Sequence, residues 1–128
     1  EIMPSLVGSE MCIRDSIEKY TKYLENMDYT GFIERINYLE AKANKSIDEY
    51  IELHKSIITL KLFNYRLMKL DDDERKCLFY RYLHKEKHSL RAIGNILSCS
   101  KNKVSRLINS AISKLAYYTF ELGVIYEQ

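Results

Sequence analysis

Between Ser100 and Asn109 the chain carries Ser100, Lys101, Asn102, Lys103, Ser105, Arg106 and Asn109, which a helix would present together on one exposed side. Lysine and arginine bring fixed positive charge and N–H donors suited to phosphate oxygens. Asparagine and serine can hydrogen-bond to base edges. A serine that starts a helix leaves backbone N–H groups free for an anion. Arg91 and Lys87 lie upstream, where a preceding helix would bring them to the flank of the same face. From Lys85 to Leu115 there are seven basic residues and one acid, Glu86, a local charge of +6 in a chain whose total is +2. Such concentration fits a polyanion-binding face better than a general solubility device. On these grounds Lys101, Asn102, Ser105 and Arg106 are expected to touch bases or phosphates. Ser100, Lys103, Asn109 and Arg91 are expected at the nucleic-acid backbone, with Lys87 flanking the groove.

A solvated basic helix would show the same charge, so the elements that position it must decide. Leu90–Leu97 reads as one helix, Ser98-Cys99-Ser100 as a tight turn, and Lys101 to at least Leu115 as a second helix. Two helices crossing through so short a turn need particular residue types. Ile93 and Leu97 face the core. Gly94 stands where the helices approach, a place for a small residue. Ser98 occupies the turn position that most often takes glycine. Val104 fills the gap between the helices, and Leu107, Ile108, Ala111, Ile112 and Leu115 continue its stripe. Ser89 and Ser100 are the expected caps.

Upstream, Asp71 and Glu74 have the spacing of a capping box, and a helix is expected from there through Leu78, Phe79, Tyr82 and Leu83. Lys85–His88 reads as a charged connector. Ile17 to about Asn26 is a short helical pattern, and Asp28–Gly31 a break. A second helix carries Ile33, Ile36, Leu39 and Ala43, and Asn44–Ser46 reads as a turn or as helix running through. A long helix spans Ile47–Leu70 with two apolar stripes. One is Ile47, Ile51, Ile58 and Tyr65. The other is Tyr50, Leu53, Ile57, Leu60, Asn64 and Leu67, spaced like a coiled-coil seam in which Asn64 would set register in a parallel dimer. The competing reading has one stripe covering the first helices and the other the C-terminal domain. Tyr117–Gln128 extends the last helix as an apolar tail that packs back or forms a dimer seam.

One proline and four glycines are too few for a strand-and-turn architecture, so an all-α fold is expected: a helical N-terminal half with one long helix, then a helix-turn-helix domain. Four regions follow: a tail at 1–16, a helical hairpin or coiled-coil-like region at 17–70, the DNA-binding domain at 71–116 and an extension at 117–128. No apolar run reaches membrane-span length and no signal peptide is evident, which points away from membranes and to the cytoplasm. Cys12, Cys77 and Cys99 have neither redox nor metal spacing, and His54, His84 and His88 complete no zinc pattern. With no phosphate loop, metal cluster or paired nucleophile and base, neither an enzyme nor a cofactor is expected.

The stretch Leu70–Leu115 resembles region 4 of sigma-70-type factors, through Glu74-Arg75, Arg81-Tyr82, Ile93-Gly94, Ser100, Val104 and Ala111 to Leu115. It departs at Gly94, usually alanine, and at Ser98, usually glycine. The long preceding helix is similar to that of small phage regulators of the ArpU and RinA type. The resemblance implies sequence-specific binding to double-stranded DNA, control of phage late-gene transcription and contact with RNA polymerase. No sigma region 2 is recognisable, so promoter melting is not implied. A phage DNA-packaging recognition subunit and a protein-interaction module contacting RNA polymerase stay open as alternatives. A homodimer would form through the Ile47–Leu70 helix or the C-terminal helix. Residues 4–16 resemble a translated sequencing adapter, which would leave the native start missing.

Overall fold

The computed structural model describes residues 9–121, with side chains from Arg14 to Thr119. Every regular element among them is helical, as expected. The helices are α1 (Ser9–Asn26), α2 (Tyr29–Ala41), α3 (Ile47–Leu67), α4 (Asp72–Leu78), α5 (Leu90–Leu97) and α6 (Lys101–Ala116). Two π-helical turns prolong α4 over Phe79–Leu83 and α6 over Tyr117–Glu121.

Local hydrogen bonds explain the boundaries. The Asp28 carboxylate accepts the Gly31 N–H at 3.0 Å, so the expected break over Asp28–Gly31 narrows and α2 begins at Tyr29. The helix expected from Ile17 starts at Ser9, inside the segment set aside from the sequence. At α3, Ser46 Oγ accepts the Glu49 N–H at 3.1 Å while the Glu49 carboxylate accepts the Ser46 N–H at 2.8 Å, a complete capping box. Lys42 bonds to the same carboxylate, and with the Ser46 N–H it holds the Glu49 carboxyl down at about 2. The helix expected over Asp71–Leu83 loosens at Phe79, whose carbonyl accepts the His84 N–H five residues on, at 2.8 Å.

Packing then assigns the stripes. α6 buries Val104, Ile108, Ala111, Ile112, Leu115 and Ala116, more of its circumference than one partner can cover. α4, α5 and α1 all pack on it. Cys77, Leu78 and Ile93 come from α4 and α5, and Tyr20 and Leu24 from α1. Thus α1, read from the sequence as part of a separate N-terminal region, shares the core of the helix-turn-helix. Leu24 is wholly withdrawn from water, which is worth roughly 1.5–3 kcal/mol for such a side chain.

α2 and α3 form a hairpin with its own small core of Ile36, Leu39 and Leu53, flanked by Phe32, Ile57 and Leu60. Arg35 grips Glu52 with two hydrogen bonds, at 2.8 and 2.9 Å. Phe63 carries the far end of α3 into the main core. The stripe that read either as a dimer seam or as cover for the first helices is therefore occupied within one chain, by α2. Leu53, Ile57, Leu60 and Leu67 pack internally, while Tyr50 and Asn64 stand exposed, so Asn64 sets no register there. The other stripe, through Ile47, Ile51, Ile58 and Tyr65, faces outward. No helix among the described residues is long and apolar enough to cross a membrane. Residues 1–8 of the expected tail and 122–128 of the expected extension lie outside the described residues.

Candidate nucleic-acid interface

The site is assembled from two serine caps and one strained turn. Ser89 Oγ accepts the Ala92 N–H at 3.1 Å and starts α5. Nine residues after Ser89 the chain turns at Ser98, whose φ of 58° and ψ of 47° lie in the left-handed region. A non-glycine residue there costs roughly 1–2 kcal/mol. The Ser98 and Cys99 N–H groups both point back to the Gly94 carbonyl, the latter at 2.9 Å, and close the helix end.

Gly94 makes this closure possible. A methyl group at its Cα would sit 2.6 Å from the Cys99 carbonyl oxygen, well inside contact distance. Backbone packs directly on backbone, so even an alanine does not fit this turn without a shift. Val104, fully buried, wedges between the two helices as its β-branched shape predicts.

The turn aims α6. Ser100 Oγ accepts the Lys103 N–H at 3.1 Å and the Ser100 carbonyl accepts the Val104 N–H at 3.1 Å. The N–H groups of Lys101 and Asn102, ahead of these, have no helical partner to reach. The first turn of α6 contains no acid. Lys101, Asn102, Lys103, Arg106 and Asn109 are exposed, as are Ser100 and Arg91, and Ser105 is half-buried. Among the described residues no hydrogen bond or ion pair occupies the charged ends of Arg91, Lys101, Lys103 and Arg106.

Several cations elsewhere in the chain are engaged. Arg35 and Lys42 are paired with Glu52 and Glu49, and Arg75 and Lys76 with Asp72. Lys87, expected to flank the groove, has its ammonium 2.6 Å from the Tyr82 carbonyl and 3.4 Å from that of Met27. It ties the connector before α5 to the end of α1.

One structural feature escaped the sequence. The Glu74 carboxylate is 3% exposed and accepts the Asp71 N–H at 2.8 Å, the Lys114 ammonium at 2.8 Å and the Ser110 hydroxyl. Burial pushes this carboxyl up, but the bonds from Lys114, Ser110 and the Asp71 backbone outweigh it and hold it below its ordinary 4.5. Only the capping role was legible at Asp71–Glu74. The available signal for the rest was the placement of Ser110 and Lys114 one helical turn apart, two donors on one face. The clamp locks the rear half of α6 to α4 and so sets the angle at which the basic front half projects.

Among the described residues no group of three or more His, Cys, Asp or Glu side chains is gathered for a metal. The chain as a whole matches no curated protein and no solved structure. The segment that contains α4, the turn and both crossing helices, residues 66–116, matches the family model of Sigma-70, region 4, and it is a helix-turn-helix of that type.

Proposed function

We propose that the chain binds double-stranded DNA through the exposed face of α6 and acts as a transcriptional regulator. The observation that carries this is the set of four unengaged cations, Arg91, Lys101, Lys103 and Arg106, around a helix N-terminus with free N–H groups and no nearby acid. Charged side chains left without protein partners on one face are suited to phosphates, whose neutralisation releases counterions. Asn102, Ser105 and Asn109 add neutral groups able to read base edges in a major groove. Ser100 contributes through the backbone N–H groups it leaves free.

The finer role rests on resemblance. Phage late-gene control fits a sigma region 4-like domain joined to a helical N-terminal half, as in regulators of the ArpU and RinA type. RNA polymerase is then a natural second partner, and a packaging subunit would differ in forming a ring-sized assembly.

The test is a salt titration of binding to duplex DNA from around the gene, beside a scrambled duplex. With Lys87 engaged internally, four phosphate contacts remain, and log affinity should fall with log salt at a slope of roughly −3 to −4. Binding at a discrete site that disappears on replacing Lys101 and Arg106 by alanine supports the reading. No binding to duplex at low salt overturns it.

A further inference from the structure

The side of α3 opposite its buried Leu53, Leu60 and Phe63 is apolar as well. Ile47, Ile51, Ile58, Leu62 and Tyr65 are 77%, 47%, 58%, 48% and 58% exposed. At 3.6 residues per turn they share an arc of about 60°. Tyr50 and Met68, 48% and 74% exposed, widen the strip at its edge. Scattered apolar residues on a surface are ordinary, but five sharing one arc along a 21-residue helix, interrupted at His54, mark an interaction face. If each of these side chains exposes roughly 100 Å² or more, they offer on the order of 800 Å² per copy, the share one partner gives to a standard interface.

The pattern also says what covers the strip. Read in the reverse direction the two ends of the strip correspond approximately: Ile47 lies opposite Tyr65 and Ile51 within one residue of Leu62, while Ile58 lies opposite His54. The charges are also unevenly placed: Asp48, Glu49 and Glu52 stand towards the start of α3, Lys55 near its middle, and Lys61 and Arg66 towards its end. Glu49 and Glu52 are engaged by Lys42 and Arg35, which leaves Asp48 as the acid whose placement matters most. Asp48 and Arg66 are separated by five helical turns and so project from the same flank of the strip. An antiparallel pair sets the Asp48 of each copy against the Arg66 of the other, twice, whereas a parallel pair leaves the two at opposite ends of the seam.

We propose that two copies of this chain pair antiparallel along the outer face of α3. A two-fold axis then passes between the two helices near their middle, and the same strip serves both copies, as a two-fold interface requires. This pairing stands on α3 alone. Its consequence, two α6 helices presented to paired half-sites on one duplex, rests on the DNA-binding reading above.

Sedimentation equilibrium of the full chain from about 1 to about 100 µM tests the pairing, a range that spans the affinities of modest interfaces. A dimer with micromolar dissociation constant is expected. Ile58→Glu with Leu62→Glu should weaken it at least about 100-fold. Circular-dichroism melting checks that these exposed substitutions leave the fold intact. Asp48→Arg should weaken the dimer about tenfold, and adding Arg66→Asp should restore it. A chain that stays monomeric overturns the proposal, as does a dimer that survives the double glutamate variant. Failure of the second charge reversal to restore the first overturns the antiparallel arrangement. Duplex binding is read separately, so loss of DNA affinity leaves this result standing.

Discussion

α3 and α6 are the two longest helices behind the connector at residues 27–28, and each buries one side while presenting the other. What they present differs completely. α6 turns outward Lys101, Lys103 and Arg106 with Asn102 and Asn109, and its buried stripe is matched by three helices. α3 turns outward isoleucine, leucine and tyrosine, and its inner stripe is satisfied mainly by α2. The same amphipathic logic therefore yields two surfaces of opposite chemistry. One is suited to a strongly hydrated polyanion and depends on charge that the protein leaves unpaired. The other is suited to an apolar partner and depends on area. Salt should weaken the first steeply and touch the second little.

The largest expected effects would break the comparison at α6. Replacing both Lys101 and Arg106 by alanine should cost about 3–4 kcal/mol of specific DNA affinity, by fluorescence anisotropy, while leaving self-association unchanged. Arg106→Ala alone should cost about 1–3 kcal/mol if it reads a base. An unchanged affinity would remove Arg106 from the interface. Leu24→Ala should lower stability by about 2–5 kcal/mol, by denaturant unfolding, because α1 fills the core beneath α6. If unfolding instead showed the helix-turn-helix melting independently of α1, the shared core would be wrong.

Smaller effects sharpen how α6 is held. Glu74→Ala should destabilise by about 2 kcal/mol, since Lys114, Ser110 and the Asp71 N–H lose one acceptor together. Because the Glu74 carboxyl is held below 4.5 when folded, its contribution is present above that pH and is lost as pH falls through the folded value. Wild type should thus lose stability in acid more steeply than Glu74→Gln, in melting curves across that range. Gly94→Ala should cost about 1–3 kcal/mol by forcing the Cys99 carbonyl away. Ser98→Gly should raise stability by about 0.5–1 kcal/mol, since it relieves a left-handed backbone. At the small end, Ile58→Glu should change monomer stability by no more than about 0.5 kcal/mol, because that side chain faces water in the single chain.

The helix-turn-helix was legible almost residue by residue. Its caps at Ser89 and Ser100, the turn at Ser98, the close approach at Gly94 and the plug at Val104 are relations spanning a few residues within one supersecondary unit. Each follows from a hydrogen bond or a steric limit that the local chain imposes on itself. The face formed by Lys101, Asn102, Lys103, Arg106 and Asn109 came from the same source, because burying the Val104–Leu115 stripe leaves only one side to show. The exposure of Arg91 followed equally from the α5 pattern.

Tertiary structure decided the rest. Two stripes of comparable apolarity run along α3, and periodicity alone ranks neither. α2 took the one through Leu53, Ile57 and Leu60, which decided between a dimer seam and an internal stripe and left the other free. α1 carries too little apolar pattern to announce a core role, yet Tyr20 and Leu24 complete the burial of α6. Lys87 looked available for phosphate until the chain brought the carbonyls of Tyr82 and Met27 to its ammonium. Glu74 reads locally as a cap and becomes a clamp only when Ser110 and Lys114 arrive from 36 and 40 residues away. Sequence determines what a segment can present, since periodicity and capping are local. Which of its faces is covered, and which charges remain free, depends on partners from distant segments, and those are settled only when the helices pack.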